Sequence, residues 1–314
     1  YLGEIFIFMH DAGIKIKNRD AFADFLLAHA GREPQASFGE GYWIDHWHYN
    51  LDLIDSFLYF YPDKLKELFL ETDFMFWDDE YKVKNRYSRY ILKGNKVYQA
   101  NSLEEIREKK ELIEKRSRFK NFLRSGPQGR DVYKTNLFVK LLSLILNKAS
   151  TLDPCGIGVE MEADKPGWCD SLNGLPSLFG SSLCETIELQ RACNLVSYAV
   201  ASSSREHKII VPTQLYWFFK NMGTILNAYF SNDVKKRDYI WWDRANSIKE
   251  QFRDSVFFGI DNKNITVSLE ELKSFTDLLS RRLDVSIRKA KDKKSKLYYS
   301  YFIYEVKKYK RNKN

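Results

Sequence analysis

A chain of 314 residues is long enough for one large domain or two small ones. Its 44% hydrophobic and 29% charged side chains are the composition of a folded protein, not a disordered one. The net charge of +8 sits at one end: residues 288–314 carry 11 Lys/Arg against 2 Asp/Glu, leaving 39 basic and 40 acidic side chains in residues 1–287. That distribution excludes a basic nucleic-acid cleft through the body and separates a core, 1–287, from a basic C-terminal segment, 288–314.

Helical periodicity dominates the chain in order. Residues 18–29 read as a short amphipathic helix with Phe22, Phe25 and Leu26 on one face. Over 43–61, Trp43, Trp47, Leu51, Ile54, Leu58 and Tyr61 recur at steps of three and four, which predicts a helix with one buried stripe. Residues 81–99 suggest a hairpin about Gly94-Asn95. Ser102 followed by Glu105 reads as a capping box opening a charged helix over 102–123. Residues 133–149 are apolar nearly all round and predict a deeply buried helix. Further helices are expected at 181–203, 212–230 with Pro212 in the first turn, 236–257, and 268–292 with a Ser268/Glu271 capping box.

The best apolar run, Leu137 to Leu146, is short and contains Lys140, so no membrane span is expected. The chain opens at Tyr1 inside an apolar stretch and is read as part of a longer protein. Cys155, Cys169, Cys184 and Cys193 form no CxxC pair, so reduced thiols and a cytoplasmic location are expected, with no metal site. No glycine-rich nucleotide-binding motif is present.

The longest non-helical stretch is 150–180, and long loops in compact helical domains are usually functional. It holds Asp153, Glu160, Glu162, Asp164 and, beyond Trp168 and Cys169, Asp170; Glu185 opens the next helix. A carboxyl beside an indole is partly desolvated, so it holds its proton nearer neutral pH, and the indole offers a flat face to a sugar. The same residues would also suit a solvated acidic loop with Trp168 in the core. A second cluster over 39–58 sets Glu40, Asp45, His46, His48 and Asp52 among Tyr42, Trp43, Trp47 and Tyr49. It suits a sugar subsite better than a metal, and an ordinary helix start is its plain alternative.

W-C-D-S-L-N at Trp168 to Asn173, followed by Gly180-Ser181-Ser182 and Glu185-Thr186, resembles the W-N-D-x-M-N and G-x-G-E-S signature of cellobiose-phosphorylase-type enzymes. These are inverting disaccharide phosphorylases of glycoside hydrolase family 94, formerly glycosyltransferase family 36. Trp43 to Asp52 resembles the family's F-R-D-x-x-Q-D segment. Cys169 stands where the family has Asn, Ile44 stands where it has Arg, and the family's C-terminal phosphate residues have no counterpart.

The resemblance implies an all-α chain, an incomplete (α/α)6 toroid of the six-hairpin glycosidase type. It implies a carbohydrate-active enzyme that breaks or forms glycosidic bonds of di- or oligosaccharides, with inorganic phosphate as co-substrate and no cofactor. Asp170 matches the general acid, and Asp45, with Asp52 less closely matched, the glycosyl-binding carboxylate. Glu185 is the further catalytic candidate; Trp43, Trp47, Glu162, Trp168 and Asn173 complete the expected substrate-binding set. Two other readings share these residues. One is an inverting hydrolase whose base is Glu40, Glu160, Glu162 or Glu185; the other is a non-catalytic carbohydrate-binding or scaffold protein. No nucleic-acid or membrane partner is expected, and a homo-oligomer is compatible with each reading.

Overall fold

The computed structural model describes residues 2–29, 44–93, 96–99, 103–126, 129, 131–160, 179–204, 206–231 and 236–307. The chain divides into two compact units, residues 1–40 and 41–314, so the basic C-terminal segment, as far as it is described, belongs to the larger unit. The small unit contains helices α1 (Leu2–Asp11) and α2 (Arg19–His29). They meet edge-on through Phe6 and Phe22, with the Arg19 guanidinium 4.5 Å over the Phe6 ring. Phe25 and Leu27 stay exposed, and no residue of α2 is buried.

The larger unit is mostly helical and carries several small antiparallel sheets, so it is not purely α. Its helices are α3 (Ile44–Phe60), the single turn α4 (Arg86–Arg89), α5 (Arg107–Glu114), α6 (Leu137–Ala149), α7 (Leu183–Ala201), α8 (Thr213–Ser231), α9 (Arg237–Val256) and α10 (Leu269–Lys289). Helix α6 lies at the centre of the core: Phe138, Val139, Leu142, Ile145 and Leu146 are fully buried. Asn136 caps its start by accepting from the Val139 amide, and the Trp241 indole donates to its last residue, Ala149, at the carbonyl.

Helices α8 and α9 form an antiparallel hairpin. Phe218 stacks on Phe252 and Tyr229 meets Trp241, so partner numbers fall along one helix as they rise along the other. Helices α7 and α10 are antiparallel by the same test. A polar seam joins them, made of Gln190 to Asp284, Ser280 to Asn194, and Ser197 to Asp277. The spacing 190, 194, 197 keeps all three on one face of α7. The α8/α9 hairpin is bracketed by strands Lys208–Pro212 and Asn264–Ser268, which pair antiparallel with Lys208 opposite Ser268. Ser268 ends its strand and caps α10 by accepting from the Glu271 amide.

Three local expectations give way to pairing partners remote in sequence. Tyr81–Val83 pairs with Leu103–Glu105, and the Glu105 carboxylate takes the Lys110 ammonium at 2.5 Å. The charged helix is therefore confined to α5, and Glu105 is strand instead of the third residue of a capping box. The hairpin is shorter than expected, Tyr90–Lys93 against Lys96–Gln99. Pro212 closes a strand instead of opening α8, a position where its missing N–H costs little.

Candidate active site

The site is built around two strands. Val159–Glu160 pairs antiparallel with Ser181–Ser182, so Glu160 faces Ser181. Phe179–Ser182 pairs on its other edge with Tyr301–Tyr304, which brings the C-terminal segment into the same sheet. Ser182 also caps α7, and the Val159 amide donates to Thr186 Oγ1 in that helix's first turn.

The turn before Glu160 is organised by Asp153, which is 1% exposed. Its Oδ1 accepts from the Cys155 and Ile157 amides at 2.7 and 3.2 Å, and its Oδ2 accepts from the Gly158 amide at 2.8 Å and Ser181 Oγ at 2.7 Å. With four donors the carboxylate is saturated, so Asp153 is an organiser of the turn rather than an acid for chemistry. Gly156 sits at φ +65, where a Cβ would lie 2.1 Å from Asp238 Oδ1 and 2.6 Å from Arg282 Nη2. Asp238 in turn accepts from Arg282 at 2.9 Å, Lys289 at 2.7 Å and Tyr229 at 3.1 Å. Ser286 donates to the Gly156 carbonyl and Lys289 to that of Cys155. The turn is thus seated on a fully buried arginine and its carboxylate.

Glu160 follows at 8% exposure. Its Oε1 accepts from Trp242 Nε1 at 3.0 Å and from the Tyr304 hydroxyl at 2.5 Å. Arg89 and Lys249, both buried, act on it electrostatically, and each is engaged with a partner. Burial raises the Glu160 carboxyl above the usual range, against the pull of Tyr304, the two cations and the Trp242 indole. Burial and the facing carboxylate both push the Tyr304 and Tyr90 phenols up, so each stays protonated. Trp242, Asn246 and Lys249 fall at i, i+4 and i+7 along α9. The adjoining residues Asp243, Ser247 and Glu250 bind Arg86, whose guanidinium also lies 4.9 Å over the Trp242 ring. This clip holds Arg89 and Tyr90 beside the cluster.

Of the sequence-predicted set, Trp43, Glu162, Trp168, Asp170 and Asn173 lie outside the described residues, as do the side chains of Asp45 and Trp47 on α3. Glu40, Asp164, Cys169 and the His46 side chain are outside them too. Asp52 pairs with Arg191 of α7 at 2.7 Å, and Asp55 pairs with the same guanidinium at 2.5 Å. Glu185 pairs with Lys148 of α6 at 2.7 Å. Helix α7 therefore carries one predicted residue, Glu185 in its first turn, and the partner of another, Arg191, which pairs with Asp52. His48 Nε2 is buried with no hydrogen-bond partner among the described residues.

Sequence reasoning missed Arg89, Trp242, Lys249 and Tyr304. Asn246 and Lys249, two polar residues on the buried face that α9 makes with Trp241, Ala245 and Phe252, were the legible signal. Cys155, Cys184 and Cys193 are free thiols, and burial raises that of Cys155. Among the described residues no group of three or more His, Cys, Asp or Glu could hold a metal, and no helix is long and apolar enough to cross a membrane. No family model and no curated protein matches the chain.

Proposed function

We propose that the chain acts on glycosidic bonds of di- or oligosaccharides by inverting phosphorolysis, on a helical frame of the (α/α)6 type. In this reading Asp170 protonates the leaving oxygen while phosphate attacks the anomeric carbon from the opposite side. Asp45 binds the glycosyl unit, and Trp43, Trp47 and Trp168 offer apolar faces to sugar rings.

The observation that carries the reading is the buried cluster at the point where residues 161–178 begin. It combines a carboxylate, two phenols, an indole and two cations, with Glu160 next in sequence to the stretch 161–178. The two described candidates for a hydrolytic base support phosphorolysis over hydrolysis. Glu160 already accepts from Trp242 and Tyr304. Glu185 is held by Lys148. A base must aim a lone pair at water, whereas phosphorolysis needs no protein base.

The test is an assay of the full chain on a panel of β- and α-linked disaccharides, with and without phosphate, beside Asp170→Asn. The expected result is phosphate-dependent release of a sugar 1-phosphate, reduced by ~10²–10⁴-fold in the variant with its circular dichroism unchanged. Release of free sugar without phosphate would replace phosphorolysis by hydrolysis. Sugar binding with no turnover would leave a non-catalytic protein.

A further inference from the structure

Apart from Glu160 and its neighbours, the larger unit contains an open cavity of about 320 Å³. Its walls come from the segment leading to Tyr81–Val83, from α6, and from the C-terminal half of α9. Six rings line it: Phe76, Trp77, Tyr81, Tyr133, Phe252 and Phe257. Aliphatic side chains fill most of the remaining wall.

The charged groups at this cavity are already committed to protein partners. The Trp77 indole donates to Asp79 at 3.3 Å, and Asp79 Oδ1 also accepts from the Tyr81 amide. Asp78 is buried between Lys109 and Arg116, each at 2.8 Å. Lys82 pairs with Asp254 at 2.7 Å, and Arg253 is engaged as well. A charged ligand would have to compete with these pairs and lose its own hydration. Ordered water is equally ill-suited, because a water needs two to four polar partners and these walls are largely apolar. What the cavity offers freely is ring and aliphatic surface, in a volume at the lower end of small-molecule pockets.

The geometry points to a second site, independent of the glycosidic reading, that binds an uncharged, ring-bearing apolar small molecule. Affinity there comes from burying the ligand's rings against Phe76, Trp77, Tyr133, Phe252 and Phe257. Ser143 brings one hydroxyl to the wall from α6.

The probe is N-phenyl-1-naphthylamine, an uncharged dye that brightens in apolar surroundings, titrated into the full chain. Saturable binding at one site per chain is expected. Val83→Trp fills the cavity from the strand wall and Ser143→Phe fills it from α6; both positions are only partly buried, so both variants should fold. Each should weaken dye binding at least tenfold with unchanged circular dichroism and melting temperature. Should one variant unfold, the other decides. Non-saturable binding, or undiminished affinity in a folded filled variant, overturns the proposal. Displacement of the dye by cellobiose also overturns it, since the cavity would then be a sugar site.

Discussion

Gly156→Ala tests the seating of the turn that leads to Glu160. Two costs are separable. At φ +65 any residue with a Cβ adopts the left-handed region, for about 1–2 kcal/mol. The reduced freedom of the unfolded alanine chain raises stability by about 0.4–1 kcal/mol where the native conformation is tolerated, so this first cost alone is modest. The second cost is the collision. A methyl 2.1 Å from Asp238 Oδ1 and 2.6 Å from Arg282 Nη2 cannot be absorbed by a flexible side-chain end, because both atoms belong to an ion pair and Arg282 is fully buried. Driving the pair apart strands a buried guanidinium, and breaking a buried pair typically costs about 3–5 kcal/mol.

The expected loss is therefore about 4–6 kcal/mol, about 1 from the backbone and about 3–5 from the broken pair, a large share of a domain's usual stability. Gly129→Ala is the control: it has φ +57, but its nearest neighbour is Arg124 Cβ at an ordinary 3.6 Å, so it should cost about 1 kcal/mol. Urea denaturation of both variants followed by tryptophan fluorescence gives the comparison. A Gly156→Ala loss within about 1 kcal/mol of the Gly129→Ala loss would refute the argument that Asp238 and Arg282 have no room to yield.

Glu160 and Lys140 give predictions of opposite sign with pH. A carboxyl raised in the folded state above its ordinary 4.5 contributes stability that is full below that value and is lost as pH rises through the folded value. The melting temperature of the wild type should thus carry a downward component above about pH 4.5. Glu160→Gln should flatten that component, and an unchanged slope would remove Glu160 as its source. Lys140 sits over the Phe76 ring and donates to the Met75 carbonyl, and burial lowers its ammonium from 10.5 to about 8. Between those values the unfolded chain binds the extra proton, so this group adds stability as pH rises from about 8 toward 10.5. Lys140→Met should abolish that rise, worth at most about 3 kcal/mol, in denaturation curves at pH 7, 8.5 and 10. Tyr304→Phe should lower stability by about 1–2 kcal/mol, the cost of leaving Glu160 short of one donor. Alanine at the exposed Lys293, Lys294 and Lys296 should leave stability within about 0.5 kcal/mol in the same melts.

Elements whose reasons are local were legible in the sequence. The Ser268/Glu271 start of α10 and the apolar circumference of α6 both appear where the pattern indicates. The stripe of α3 is buried at Leu51, whereas Tyr61 at its end stays exposed, because the helix stops at Phe60. Capping at Glu105 failed because a strand partner over twenty residues away competes for the same backbone. The buried cluster was illegible for the same kind of reason on a larger scale. Glu160, Arg89, Lys249 and Tyr304 come from four separate regions, and no spacing within any one of them announces the others. Glu160 stood among several acidic candidates in its loop, and only the meeting with Trp242 and Tyr304 distinguishes it.

The strand pair that brackets the α8/α9 hairpin has a consequence for the order of assembly. Helix α7 and helix α10 flank the bracketed segment in sequence and touch each other across the polar seam. Closing a long loop costs entropy before any contact repays it. Once Lys208–Pro212 zips onto Asn264–Ser268, the effective separation of α7 and α10 shrinks to the few residues on either side of that pair. The bracket therefore converts a distant encounter into a nearly local one, and chains with more local contacts fold faster. Amide protection during refolding should then spread outward, from α8 and α9 to the strand pair and last to the seam between α7 and α10.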